Sequence, residues 1–220
     1  MTLIEQIELD YSIVAFVDIL GFSNMVKSDC ENKSDSIKYF KVLREINKET
    51  REIGDCNITQ FSDSVIFSLP LSQENYIKML KVLAEYQQKL LYQRIICRGA
   101  IAYGKHYKED DFMFSQALIE AYQLESKDAI YPRIIISKNL LEYFKPTIES
   151  PPYLIKEKDS FYFVDYLRNA DKELSLERLK EFDSSLHSQS LVVKEKYYWL
   201  YRYWEFKFSE ILPFFPPQFI

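Results

Sequence analysis

Two aspartates close strongly apolar runs, Ile13-Val14-Ala15-Phe16-Val17-Asp18 and Ile58-Thr59-Gln60-Phe61-Ser62-Asp63. A carboxylate beside a buried strand is costly unless a positive group neutralises it. Two such carboxylates brought together invite a divalent cation, and cations held by carboxylates commonly serve phosphate chemistry. Taken singly, each aspartate also reads as a turn residue ending its strand. Which reading applies depends on whether the surrounding elements carry the pair to one place.

Other chemistries have thinner support. The cysteines, Cys30, Cys56 and Cys97, are odd in number and widely spaced, with no CxxC pair. That argues against a zinc site or disulfide framework and fits a reducing cytoplasm. The two histidines, His106 and His187, are far apart, which leaves little basis for a histidine metal site or a Ser-His-Asp hydrolase. A net charge of −5 is wrong for a general nucleic-acid binder but compatible with a nucleotide site, where a few cations suffice. No secretory signal and no membrane span is read. With 220 residues, 47% of them hydrophobic, the chain can bury a full core.

The elements that must position the aspartates follow from periodicity. Residues 11–18 read as a buried central strand. Gly21 permits a tight turn, with a short helix through Met25 and Val26. The spacing predicts a helix over 34–52, capped by Ser34, with Ile37, Phe40, Val42, Leu43 and Ile46 as its apolar stripe. Gly54-Asp55 reads as a turn. Residues 56–61 and 64–69 form a hairpin around Asp63, which Pro70 ends. A helix over 73–93 follows, then a strand over 94–103 closed by Gly104, a strand near 111–114, a helix over 115–126 and a strand over 133–137. Strand, helix, strand, strand, helix, strand is the order of a ferredoxin-like α+β unit. In that unit the end of the first strand faces the hairpin between the second and third, which makes Asp18 and Asp63 neighbours.

Beyond Pro151-Pro152 the chain reads as a further hairpin over 153–167 and helices over 175–186 and 189–211. The last helix carries aromatics on nearly every side, from Tyr197 to Phe206, which means burial on more than one face. A nucleic-acid stacking surface is the sharper alternative, and the acidic balance opposes it. The apolar tail from Ile211 to Pro217 reads as docked on the core or a partner. Residues 1–167 are therefore expected to form one catalytic domain, and 168–220 a helical extension packed on the core or on a dimer partner.

Specific motifs sharpen the reading. Phe16-Val17-Asp18-Ile19-Leu20-Gly21-Phe22-Ser23 resembles the first metal motif of class III nucleotide cyclases, and Gln60-Phe61-Ser62-Asp63-Ser64-Val65 resembles the second. Arg98-Gly99-Ala100-Ile101-Ala102-Tyr103-Gly104 resembles the strand that follows. The segments Ser115 to Glu125, Tyr131-Pro132-Arg133-Ile134 and Lys158 to Leu167 resemble a narrower group, the pyrimidine cyclases of bacterial Pycsar anti-phage systems. The resemblance takes in residues 11–167.

What the resemblance implies is concrete. Asp18 and Asp63, with the backbone carbonyl of Ile19, would hold two Mg²⁺ or Mn²⁺ ions. The turn Ile19, Leu20, Gly21, Phe22, Ser23 would offer N–H groups to a nucleoside triphosphate. The ribose 3′-oxygen would displace pyrophosphate from the α-phosphate, giving a 3′,5′-cyclic nucleotide. Asn57 stands six residues before Asp63, where purine cyclases place a charged base-reading residue. Its amide could address uracil or cytosine, with UTP favoured over CTP. Ile119 and Gln123 stand where purine cyclases carry an Asn and an Arg, so the usual transition-state cation is missing. Arg98 is expected to replace it, or a lysine such as Lys156 or Lys158. Arg98 also reads as a strand-edge residue paired to an acid. Ser160 stands where the narrower group often has Gly. The family further implies a homodimer with sites between subunits, and an effector that binds the cyclic product, a TIR-domain NADase or a membrane protein. A catalytically silent nucleotide-binding domain and a purine cyclase are the alternatives. A diguanylate cyclase is not, because its GG-[DE]-EF hairpin is absent.

Overall fold

A computed structural model describes residues 8–31, 37–145, 151–186 and 189–215. The first strand, β1 (Asp10–Ile19), is buried on both faces over Ile13–Val17. It is followed by helix α1 (Phe22–Glu31), helix α2 (Lys38–Gly54), the hairpin β2 (Asn57–Phe61) and β3 (Ser64–Pro70), and helix α3 (Gln73–Tyr92). Strand β4 (Cys97–Glu109) completes the unit. The spatial order β2-β3-β1-β4, with β1 antiparallel to both neighbours, is that of a ferredoxin-like sheet.

The sheet then grows past β4. Strand β5 (Phe112–Ser115) folds back on the far half of β4, and helix α4 (Gln116–Asp128) leads to β6 (Ile134–Ile136), which runs parallel to β4. Helix α5 (Lys138–Phe144) precedes the edge hairpin β7 (Leu154–Lys156) and β8 (Tyr162–Val164), and helices α6 (Lys172–Ser185) and α7 (Leu191–Phe208) end the described chain. The resulting α+β fold has one extended sheet between unequal layers. The main core gathers one face of β1 and β3 with α3, α6 and α7. On the other face Phe16, Ala102 and Ala121 pack together under α4, with Ile66 and Leu118 at their margin.

Local chemistry explains several boundaries. Ser72 and Ser115 cap α3 and α4 by accepting the N–H groups of Asn75 and Leu118. The start of α2 is held differently from the sequence expectation. Ser34 lies outside the described residues, and the acceptor is Asp29 of α1, whose carboxylate takes the N–H groups of Lys38 and Phe40 at 3.1 and 2.8 Å. Phe40, expected in the apolar stripe, is exposed. Strand β4 does not begin at Arg94, which sits in a tight turn with φ 62°. Nor does it end at Gly104. A Cβ there would lie 3.2 Å from the Ala117 nitrogen, so the glycine admits the start of α4 against a continuing strand. Helix α5 has no counterpart among the elements expected from sequence. Its seven residues are too few to show a helical period.

The aromatic C-terminal helix is a core element. Trp199, Leu200, Tyr201, Tyr203 and Trp204 of α7 are all buried. At about 1.5–3 kcal/mol per buried side chain, they contribute on the order of 10 kcal/mol before ordering entropy. Polar groups fix the register. Tyr203 donates to the buried carboxylate of Asp165 at 2.6 Å, and Lys207 pairs with its second oxygen at 2.6 Å. Trp199 donates to Glu157 at 2.8 Å. Glu157 and Asp159 in turn bind Arg133, whose side chain is almost wholly enclosed. The tail reaches back as far as it is described: Leu212 is buried and Phe215 packs on Tyr198 and Tyr201.

Candidate functional site

Asp18 is the penultimate residue of β1 and pairs across the sheet with Ser64 on one side and Arg98 on the other. Asp63 is the second residue of the two-residue connection between β2 and β3, beside Ser62 at φ 57°. The Ile19 N–H donates to the Asp63 carbonyl at 2.9 Å, which ties the two strand ends together. In an antiparallel pair the N–H and C=O of one residue point to the same neighbour, so the Ile19 carbonyl faces the Asp63 turn. Asp18 shares the α4 face of the sheet with Phe16 by alternation. Asp63 lies outside the strand ladder, so alternation does not govern its half-buried carboxylate.

The next turn is built for close approach. Gly21 adopts φ 78°, where an L side chain is strained, and its carbonyl accepts the N–H groups of Asn24 and Met25. Phe22 and Ser23 form the first turn of α1, where backbone N–H groups point outward and favour an anion. Leu20 donates its N–H to Ile96 at 2.9 Å, so this residue's amide is committed to the fold.

Arg98 is held by two acids. Its Nε lies 3.0 Å from Oδ2 of Asp18 and 2.8 Å from Oε1 of Glu125, and its Nη1 donates to the Ala129 carbonyl at 3.3 Å. Glu125 on α4 is only 3% exposed as a side chain. Burial pushes its carboxyl above the usual range, and the Arg98 guanidinium opposes that shift. Lys196 of α7 belongs to the same field. Burial and Arg98 lower its ammonium from the ordinary lysine value, while Asp18 and Glu125 act the other way. Sequence gives neither Glu125 nor Lys196 a site role: Glu125 only closes the motif segment that begins at Ser115, and nothing local marks Lys196.

The remaining expected residues lie farther out. Asn57 is exposed and pairs with Ser68, which pairs with Val14. It is thus level with Val14, four residues down β1 from Asp18, about 13 Å along the strand direction, on the same face. Lys156 stands on edge strand β7, with β4, β6 and β8 between it and β1. That is about 19 Å across the sheet. Lys158 lies in the adjoining β7–β8 turn. Ile119 is 59% exposed on α4. A cavity of about 680 Å³ opens between α1 and α2, lined by Phe22, Arg44, Lys48, Gln60 and Ser62 among others. It meets the Asp63 turn through Ser62.

Among the described residues no group of three or more His, Cys, Asp or Glu side chains could hold a metal. Two carboxylates and a carbonyl nevertheless suit Mg²⁺ or Mn²⁺, which keep water and take phosphate oxygens as their remaining ligands. The donor set fits a metal that arrives with a phosphate substrate. The ion pair with Arg98 shows that Asp18 already stands where a cation is attracted.

No protein-family model matches the chain, and no curated protein matches it. Solved structures do. The monomeric guanylyl cyclase domain of the RhoGC fusion protein from the aquatic fungus Blastocladiella emersonii superposes with a TM-score of 0.51 at 14% identity, covering 71% of this chain and 95% of that one. The catalytic core of a rhodopsin-guanylyl cyclase with converted specificity, solved with ATPαS, gives 0.50 at 16% identity, covering 71% and 96%. A dimeric form of the Blastocladiella domain gives 0.50 at 13%, covering 70% and 93%. The fold is therefore that of guanylyl cyclase catalytic domains. Among the described residues no helix is long and apolar enough to cross a membrane.

Proposed function

We propose that this chain is a nucleotide cyclase that converts a pyrimidine nucleoside triphosphate, UTP before CTP, to its 3′,5′-cyclic monophosphate and pyrophosphate. The observation that carries the reading is the meeting of Asp18, the Asp63 turn and Arg98 at one end of a cyclase-type sheet. Asp18, Asp63 and the Ile19 carbonyl would hold two Mg²⁺ or Mn²⁺ ions. Bound there, the ions would lower the pKa of the ribose 3′-hydroxyl and offset charge on the phosphates.

The chain's own groups do the rest. The N–H groups of Phe22 and Ser23 at the start of α1 receive phosphate oxygens, and Gly21 lets the backbone come close. Arg98 offers a planar donor set suited to a phosphate. Glu125 keeps it oriented once Asp18 is engaged elsewhere. The 3′-oxygen forms its bond to the α-phosphorus as the bond to the bridging oxygen breaks. The proton of the hydroxyl goes to water and pyrophosphate departs. Asn57, a neutral amide where purine cyclases carry charge, supports a pyrimidine base, as do the segments similar to Pycsar cyclases. On that reading the product is an alarm signal during phage infection, sensed by a cyclic-nucleotide-binding effector, in the cytoplasm. The site is shared between two copies of the chain, which exposed Tyr122 and Ile119 on α4 support.

A second reading, a silent nucleotide-binding domain, draws on Arg98 being fully engaged by Asp18 and Glu125 and on Gln123 at the place of the cyclase Arg. The test is incubation with each of the four ribonucleoside triphosphates and Mn²⁺, with products identified by mass. Cyclic product from UTP or CTP alone is the expected result. Product from ATP or GTP instead makes it a purine cyclase, and none from any makes it silent. Asp63→Ala should lower turnover at least about 10²-fold with an unchanged melting temperature.

A further inference from the structure

We infer that the cavity between α1 and α2 is a second ligand site, built to hold an aromatic organic anion. The site is independent of the cyclase reading and adds to it.

The cavity lies on the other side of the sheet from the Asp18 carboxylate. Gln60, on its wall, alternates along β2 with Ile58, which belongs to the main core. Gln60 pairs with Val65, and Val65 with Val17, another residue of that core. Asp18 is the next residue of β1 and therefore points to the opposite face, two strand spacings or about 10 Å away. A molecule in the cavity is thus separated from Asp18 by β3 and by the thickness of the sheet.

The lining has an apolar part and a charged part. Val26 of α1, Phe40 of α2 and Ile37 between them are exposed apolar side chains that meet in this one concavity, which sets them apart from apolar residues scattered singly. Phe22 and Met25 line it where they pack on the core. Phe22, Tyr39 and Phe40 contribute rings, so a flat aromatic body fits. A volume of about 680 Å³ is that of a small-molecule site.

The charged part comes from α2. Arg44, Lys48 and Arg51 recur at i, i+4 and i+7 along the helix and all line the cavity. Arg51 donates to the Ile58 carbonyl at 3.0 Å, whereas Arg44 and Lys48 have no ion-pair partner among the described residues. Asp29 is the one acid among the described lining residues, and its carboxylate is already taken by the N–H groups of Lys38 and Phe40. Three cations against one committed carboxylate leave the cavity positive, which favours an anionic head group. Asn47 adds a further demand. Its Nδ2 donates to Oε1 of Gln60, whose Nε2 donates to the Ser62 carbonyl at 3.0 Å. Its Oδ1 is enclosed and has no hydrogen-bond partner among the described residues. An acceptor buried unpaired is costly, and an N–H or O–H on the ligand would satisfy it.

The test uses the full chain, without metal or nucleotide, and two fluorescent probes. Anilinonaphthalene sulfonate carries fused rings, an N–H and one anionic group, and phenylnaphthylamine is the same body without the anion. Arg44→Gln/Lys48→Gln should weaken sulfonate binding about tenfold or more, the loss expected for charge-assisted contacts, and leave the affinity of the neutral probe unchanged. Val26→Glu, which sets a negative charge on the apolar wall, should weaken both. Phe112→Ser, on the exposed apolar surface of β5, should weaken neither. Thermal unfolding confirms that each variant is folded, and Lys48→Gln alone serves if the double variant is not, with the same outcomes. Undetectable sulfonate binding by the unsubstituted chain overturns the inference. So does equal sulfonate affinity in the double variant, or an equal loss of both probes there, which would mark a structural role for the two cations. Loss of sulfonate binding in Phe112→Ser would put the probe on β5, with the same consequence. Saturating UTP and Mn²⁺ should leave sulfonate affinity unchanged, whereas displacement would make the cavity part of the substrate site and end the inference. If no nucleoside triphosphate is cyclised but the variants divide the two probes as expected, the cyclase reading falls and this site stands.

Discussion

Arg98 is the residue on which structure and chemistry compete. It serves Glu125, which is buried and depends on it, and Asp18, which would have to leave it to bind a metal. Removing one partner of a buried pair costs more than the pair itself contributes, because the other charge is left stranded. Arg98→Met should therefore destabilise the chain by about 2 kcal/mol, discounted from the fully buried case because the guanidinium is one-quarter exposed. Urea denaturation measures this. The double variant Arg98→Met/Glu125→Gln should regain at least half of the loss while remaining inactive, which separates folding from catalysis. The two roles read for Arg98 from sequence, an ion-paired strand residue and a site cation, are compatible in the folded chain. A similar lesson comes from Ser160, which stands where the related group often has Gly. It adopts φ 75°, so the substitution keeps a left-handed turn at a small conformational cost.

At the scale of elements, the sheet's central crossing sets the site. Gly99 follows Arg98 on β4 and pairs with Val17, and a Cβ there would come within 2.5 Å of the Phe16 carbonyl. Backbone cannot give way as a side chain can. Gly99→Ala should thus push β4 from β1, costing about 2 kcal/mol and lowering the melting temperature by about 4–8 °C. Because Arg98 moves with β4, turnover should fall by more than stability alone explains, and comparing both measurements at one temperature well below melting checks this. The long elements were legible from sequence because periodicity is a local signal. Strand β1, the hairpin around Asp63, α3 and α7 all stand within a few residues of where the pattern predicts them. The misses share a cause. Gly104 and Arg94 take their roles from neighbours far along the chain or from a turn after α3, and Asp29 caps α2 across an intervening segment.

At the scale of the whole molecule, α7 closes the core on one side of the sheet, and exposed Phe112, Phe114, Ile119 and Tyr122 lie on β5 and α4. If the site is completed by a second copy, specific activity should fall as the chain is diluted through its dimer dissociation range. Sedimentation and turnover measured over the same concentrations should then share one midpoint. Constant specific activity down to concentrations where only monomer sediments would show that one chain suffices.

The amino-acid sequence by itself determined the strand end that carries Asp18, the hairpin turn that carries Asp63, the glycine turn at Gly21 and the order of elements that makes a ferredoxin-like sheet. These depend on apolar runs, turn residues and motifs that span a few positions. Only the tertiary structure decided that Arg98 is shared by Asp18 and Glu125. The reason is that one charged side chain among 28 Lys and Arg and 33 Asp and Glu residues carries no local mark of its partner. Ion pairing across a sheet is set by packing, and packing exists only once the whole chain has closed on its core.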